Sequence, residues 1–390
     1  MTAPPRNFSP PRRLLVRGVN WLGDAVMTTP ALLRLREALP DTHITLLTHE
    51  KLAGLWPGHP AVDEVLTFGT KEGVFSVARR LRTWRDPRTP NARETGFEAA
   101  VVLPNSLRSG LEVALAGIPR RLGYAGGGRN WLLTQTVAWR KGELRMRKRS
   151  TAEVRRLVAT EAAARPGAAT PNTAHHIHHY LHLVAAWGAK PEPVAPLISV
   201  SEAEVAAVKT KFKLPPGGLI GLNAGAEYGA AKRWPVEHFI ATARELHARL
   251  NCTFVVFGGP ADRQLAAEIS STVAAAYSGP QPAPNLVINL AGETNLRELC
   301  ATLRACRVVL TNDTGPMHVA AAVGTRVVAL FGSTAPELTA PGLPGDGRNV
   351  ILRGAAACAP CFLRECPVDF RCMRSLKVEQ VLQAVEAAAK

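Results

Sequence analysis

The sequence predicts an α/β protein made of two doubly wound, Rossmann-like domains facing a central cleft. Three observations predict it. Short β-branched runs alternate with helical stretches along the chain, the alternation starts afresh after the proline-rich segment Pro191 to Pro196, and 390 residues are enough for two cores. The division expected is a disordered tail over 1–13, a first domain over 14–190, a stiff linker over 191–200 and a second domain over 201–390.

In the first half, Leu14 to Gly18 reads as a strand and about Asp24 to Leu39 as the helix after it. His43 to His49, Val62 to Phe68 and Ala99 to Leu103 read as further strands. The second half opens with a helix from Ser201 to Phe212. Leu219 to Leu222, Thr253 to Phe257, Leu286 to Asn289, Arg307 to Leu310 and Arg326 to Phe331 then read as buried parallel strands with helices between them. Ligands of such sheets bind beyond the carboxyl ends of the strands, so the turns that follow the strands are where chemistry is sought.

Composition narrows the function. No apolar run reaches the roughly 18 residues of a membrane span. The proline-rich start lacks the apolar stretch of a signal peptide, so a cytoplasmic location is expected. The net charge is +16, and it is uneven: residues 1–195 hold 28 Lys and Arg against 15 Asp and Glu (+13), leaving 19 against 16 (+3) for the rest. The basic stretches Arg79 to Arg93 and Arg140 to Arg156 point to an anionic partner. They do not interleave aromatics as single-strand nucleic-acid binders do, so a membrane surface or a phosphorylated acceptor is expected and nucleic acid is not. A Gly-x-x-x-x-Gly-Lys-Ser/Thr loop and a dinucleotide fingerprint after the first strand are both absent, which disfavours an NTPase and a dehydrogenase.

Three turns carry the chemistry. In Thr311-Asn312-Asp313-Thr314-Gly315-Pro316-Met317-His318 a strand hands over to a helix N-terminus, where free amides and the helix dipole suit a phosphate. Pro316 fits the first turn of that helix, where a missing N–H costs nothing. In Asn223 to Pro235 a pliable run of small residues leads to Lys232 and Arg233, cations able to reach a polyanion held there. In Asn20-Trp21-Leu22-Gly23-Asp24 a carboxylate stands at a helix start, either as a general base or simply as the helix cap. Two phosphate-competent turns in one domain and a carboxylate turn in the other describe a nucleotide diphosphate bound across a cleft.

With these residues in hand, the chain resembles the lipopolysaccharide heptosyltransferases of glycosyltransferase family nine, of the heptosyltransferase II type. Four blocks carry the likeness: Asn20 to Leu32, Val102 to Gly123, Asn223 to Pro235 and Asn289 to Gly332. The resemblance implies the GT-B fold and an inverting transfer of L-glycero-D-manno-heptose from ADP-heptose to the heptose of the inner core on a Kdo-lipid A acceptor. By the same resemblance Asp24 is the catalytic base and Lys232 the contact to the nucleotide sugar's phosphates. Asp313 would lie near the heptose, Thr314 and Gly315 would form the phosphate turn, and His318 would follow on the helix. Glu227, Arg233 and Asp262 are expected on the donor side, Asp262 at the ribose hydroxyls. Asn20, Asn105, Ser106 and Arg108 are expected on the acceptor side. The chain departs from the family's pattern in the basic stretch Thr70 to Glu94 and in Pro316. A peripheral, monomeric protein at the inner face of the cytoplasmic membrane is expected. The scheme needs no cofactor, because Lys232 and the amides of the Asp313 turn can meet the charge developing on ADP.

Two clusters remain. Cys358, Cys361, Cys366 and Cys372 are spaced as C-x2-C-x4-C-x5-C, which would suit a structural zinc or an iron–sulfur cluster; unligated thiols are the alternative. His175, His176, His178, His179 and His182 crowd one helix, but Ile177, Leu181 and Val184 give it an apolar stripe that leaves the histidines as a solvated face. Two further functions stay open: another GT-B enzyme on a nucleotide sugar, such as an epimerase or a transferase with a different donor, and a non-enzymatic binder of anionic glycolipid.

Overall fold

The computed structural model describes residues 9–86, 96–140, 142–144, 146–160, 172–277 and 286–390. Residues 1–8 of the expected tail and 87–94 of the basic stretch therefore lie outside the described residues. In chain order the elements are β1 (Arg13–Arg17), α1 (Leu22–Ala38), β2 (His43–His49), β3 (Glu64–Phe68), α2 (Val74–Arg82), β4 (Ala99–Val102), α3 (Leu107–Leu115), β5 (Arg120–Tyr124), β6 (Gln135–Val137), α4 (Thr151–Ala159) and α5 (His176–Ala185). There follow α6 (Glu202–Lys211), β7 (Leu219–Asn223), α7 (Val236–Leu250), β8 (Thr253–Val256), α8 (Arg263–Ala275), β9 (Val287–Asn289), α9 (Leu296–Ala305), β10 (Val308–Asn312), α10 (Gly315–Ala322), β11 (Arg326–Phe331), α11 (Pro336–Thr339), β12 (Val350–Arg353), α12 (Arg371–Arg374) and α13 (Val378–Ala389).

Two six-stranded parallel sheets result, ordered β3-β2-β1-β4-β5-β6 and β12-β11-β10-β7-β8-β9. In each sheet the strand order reverses beside the first strand of its series, which is the doubly wound topology expected. Burial explains the register. β1, β4, β7 and β10 are buried at every residue, as strands covered on both faces must be. Pro30 interrupts α1 and removes the N–H that Val26 O would accept. The Thr29 hydroxyl donates to that carbonyl instead, at 2.8 Å.

The chain divides into two compact units, 1–143 with 176–199, and 144–175 with 200–390. This differs from the expected boundaries in three places. The tail ends early: Pro11 O accepts from the Thr42 hydroxyl (2.6 Å) and Arg12 O from His43 N (2.8 Å). The supposed linker is tied to α1, where Arg34 Nε donates to Glu192 O (2.9 Å) and Leu197 N to Thr29 Oγ1 (3.0 Å). The basic segment around Arg149 and Val154 packs in the second unit. There Arg149 N donates to Cys361 O (3.0 Å), Arg149 Nη1 to Ala357 O (3.1 Å), and Val154 is buried against Cys358, Cys361 and Leu363.

The histidine-rich helix also departs from expectation. Its apolar stripe, Ile177, Leu181 and Val184, is buried. His179 is not solvated, because its ring stacks on Tyr124 at 4.1 Å and its Nδ1 lies 3.4 Å from Glu143.

Candidate active site

In the second unit, two strand-end turns converge through buried amides. Asn223 closes β7 and Asn312 closes β10, adjacent strands in one sheet. Asn223 Nδ2 donates to Thr311 Oγ1 and to Thr314 Oγ1, both at 2.8 Å. Asn312 Nδ2 donates to Ala224 O (2.8 Å), and its Oδ1 accepts from Trp234 N (3.1 Å). Both asparagines are almost wholly buried, so their hydrogen-bonding capacity is spent on locking the two turns together.

The lock delivers Lys232 to the turn after β10. Its Nζ lies 2.7 Å from Asp313 Oδ2 and 3.2 Å from Asp313 O, with side chains only 15% and 6% exposed. Asp313 Oδ2 also accepts from Thr334 Oγ1 (2.6 Å), a residue of the turn after β11. Tyr228 places its ring 5.1 Å from the ammonium. α10 begins at Gly315 with Pro316 in its first turn. Thr314, the residue before it, makes no side-chain cap bond, its hydroxyl being taken by Asn223. The first-turn amides are thus left uncapped by Thr314, as an anion site requires. His318 sits one turn further along α10 and is buried.

A second pair holds the turn after β8. Asp262 Oδ2 accepts from Gly259 N (3.1 Å), and Asp262 Oδ1 lies 3.2 Å from Arg233 Nη2. The carboxylate lies against Gly225: a Cβ there would stand 2.5 Å from it, so a side chain fits only if Asp262 moves. Gly229 is constrained too, at φ +155° with its missing Cβ aimed at Arg364 O. Glu227 lies on the same loop but is exposed and makes no ion pair among the described residues.

In the first unit, Asp24 stands in the first turn of α1, partly buried, while Trp21 occupies the N-cap position. Asp24 is therefore not the cap residue. Its charge reaches Tyr180 on α5, whose phenol is held well above its usual pKa, first by burial and then by Asp24. Asn20 Oδ1 accepts from Arg17 Nη1 (3.1 Å). Arg17 is buried and paired with buried Glu112 at 2.7 Å, and Glu112 Oε1 also accepts from Arg108 Nε at 2.8 Å. Arg17 and the Glu112 carboxylate thus connect Asn20 to Arg108. Asn105 Oδ1 accepts from buried Arg129 (2.9 Å), and Ser106 caps α3 by accepting from Ser109 N (3.3 Å).

A profile described as Glycosyltransferase family 9 (heptosyltransferase) matches residues 91–370. The chain belongs to this family. It is 31% identical over 331 residues to lipopolysaccharide heptosyltransferase 2 of Salmonella typhimurium, covering 84% of this chain and 85% of the relative. The Escherichia coli protein of the same name is 30% identical with the same coverage. The solved structure of E. coli ADP-heptose LPS heptosyltransferase II superposes with a TM-score of 0.71 at 27% identity, over 97% of this chain and 98% of that one. The two parallel sheets and this match make the fold GT-B, and the protein is a glycosyltransferase.

The zinc or iron–sulfur reading of Cys358, Cys361, Cys366 and Cys372 has no support in the structure: among the described residues, no group of three or more His, Cys, Asp or Glu is placed to hold a metal ion. Apolar packing takes them instead. Cys358 and Cys361 lie in a small core with Val154 and Leu363, and Cys372 joins the main core beside Met373. Cys366 Sγ accepts from Phe370 N at 3.3 Å. Burial pushes the Cys372 thiol up to about 12. Sequence reasoning missed Thr334 and Arg17, and took Asn223 only as the start of its turn. Thr334 follows the strand end at Phe331 and was open to the rule that found the other turns.

Proposed function

We propose that this glycosyltransferase moves a heptose, with inversion, from ADP-heptose to the heptose of a lipopolysaccharide inner core carried on Kdo-lipid A. The Lys232–Asp313 pair beside the uncapped start of α10 supports the donor half of this reading most directly. The relatives, lipopolysaccharide heptosyltransferases, supply the sugar and the acceptor class of the reading.

In this reading the diphosphate of ADP-heptose lies at the α10 amides with Lys232 beside it. As the bond from the anomeric carbon to the phosphate oxygen breaks, charge grows on ADP, and Lys232 and the amides stabilise it. Asp313 orients Lys232 and stands near the heptose, while Thr314 and Gly315 contact phosphate and His318 backs the turn. Asp262 takes the ribose hydroxyls, steadied by Arg233. Asp24 accepts the proton of the acceptor hydroxyl as that oxygen bonds the anomeric carbon. Asn20, Asn105, Ser106 and Arg108 contact the acceptor, with Arg17, Glu112 and Arg129 holding them in place.

The enzyme would meet a lipid-borne acceptor as a peripheral, monomeric protein at the inner face of the cytoplasmic membrane. Among the described residues no helix is long and apolar enough to cross a membrane. The outer face of α2 fits an anionic surface: Phe75 is 79% exposed and stands beside exposed Arg79, and Arg85 follows the helix.

Measuring ADP release from ADP-heptose with and without a core acceptor tests the reading. Release only in the presence of acceptor is expected. Donor consumed without acceptor would indicate an epimerase or hydrolase, and no release under either condition would indicate a binding protein.

A further inference from the structure

The second sheet has a second edge. Where the strands begin, opposite the turns described above, a cavity of about 610 Å³ opens between α6, the ends of α9 and α13, and the approaches to β10, β11 and β12. Six cationic side chains line it, Lys209, Arg304, Arg307, Arg326, Arg348 and Lys390, against the single carboxylate side chain of Glu202. The second half of the sequence is close to neutral overall, so this concentration is local.

Helix carboxyl ends explain part of it. They attract cations, and three of the six are used that way or paired. Arg326 Nη1 donates to Ala388 O (3.2 Å), Arg348 Nη2 to Gly324 O (3.1 Å), and Arg304 Nη2 to Glu202 (2.5 Å). Lys209 and Arg307 make no side-chain hydrogen bond or ion pair among the described residues. Two unneutralised cations beside four others raise the potential over this open depression and favour a counter-ion there. Arg307 offers the planar fork that suits a phosphate, and Lys209 a mobile point charge.

From this we infer that the amino-terminal edge of the second sheet carries an anion site, separate from the donor turns, that takes a phosphate-bearing ligand. β10 runs from one edge to the other over five residues, about 16 Å, so one ligand group does not occupy both places. The cavity has the size of an ordinary small-molecule site, which spans about 300–1,000 Å³. A free phosphorylated metabolite and a phospholipid headgroup share the required chemistry.

The test uses the full chain and three proteins: wild type, the double variant Lys209→Gln/Arg307→Gln, and Lys232→Ala as a reference for the donor turns. Two probes are titrated, inorganic pyrophosphate by calorimetry and phosphatidylcholine vesicles containing phosphatidylglycerol by co-sedimentation. Pyrophosphate bound at least about tenfold more weakly by the double variant, and retained at the cavity by Lys232→Ala, would support a free-anion site. A matching loss seen only with the anionic vesicles would assign the site to headgroups. Thermal melts guard against misfolding: the double variant should melt normally without ligand and lose only the rise given by pyrophosphate. Binding that responds to Lys232→Ala alone, with both probes indifferent to the double substitution, overturns the proposal.

Discussion

Lys232 Nζ and Asp313 Oδ2 stand 2.7 Å apart, so the cation assigned to the donor's diphosphate rests on a carboxylate before any donor arrives. The two should therefore respond oppositely to substitution. Lys232→Ala should weaken ADP and ADP-heptose binding about ten- to hundredfold and slow the transfer. Asp313→Asn removes the competing charge and should tighten ADP while slowing transfer. Added salt should weaken ADP binding more in wild type than in Lys232→Ala. Titrations of ADP at two ionic strengths decide it, and equal salt slopes in both proteins would point to Arg233 or the backbone turn instead.

Gly225 should accept a side chain only by moving Asp262. A Cβ there would meet the Asp262 carboxylate at 2.5 Å, and that carboxylate is held by Gly259 N and Arg233. Gly225→Ala should displace Asp262, cost about 1–3 kcal/mol of stability and raise KM for the donor severalfold. A melt and a donor titration report the two effects. Unchanged donor KM would take Asp262 off the ribose.

At the membrane, the triple variant Phe75→Ser/Arg79→Gln/Arg85→Gln should lose affinity for anionic vesicles and little for neutral ones. Each cation near such a surface is worth about 1 kcal/mol, so two of them and the aromatic ring should lower partitioning at least about tenfold. Transfer to a short soluble acceptor should be unaffected. Co-sedimentation that does not distinguish the variant from wild type would leave α2 as an ordinary solvated helix.

The thiols give a further check. Burial raises Cys252, Cys300, Cys306 and Cys372 to about 12, which keeps them protonated, whereas Cys366 is only partly buried. A disulfide-exchange reagent should modify Cys366 first and the four others only on unfolding. Fast labelling of Cys372 in the native protein would show that the segment from Cys358 to Cys372 opens readily.

The sequence was most legible where two-sided burial writes itself as an apolar run. His43 to His49 and Arg326 to Phe331 are strands with the expected ends. It was least legible at sheet margins. β5 carries two arginines and a glycine, β6 is three residues long, and β12 lies at an edge, so none shows the pattern of a buried strand. The Asp313 and Lys232 turns were visible because each follows such a run. The buried pairing of Arg17 with Glu112, 95 residues apart, has no local signature. The cysteines stayed ambiguous for a related reason: spacing alone left ligands and unligated thiols both open, while the partners that bury Cys358 and Cys361 include Val154, some two hundred positions away.

The measurement that bears most directly on the mechanism compares wild type with Asp24→Asn. ADP-heptose is titrated into each protein, and a single turnover onto a core acceptor is then followed by ADP release. The asparagine keeps the carboxylate's shape in the first turn of α1 but accepts no proton. The titrations should superimpose, and transfer should fall about 10²–10⁴-fold. Near-normal transfer by Asp24→Asn, or a collapse of its donor affinity, would contradict the assignment of Asp24 as the base that receives the acceptor's proton.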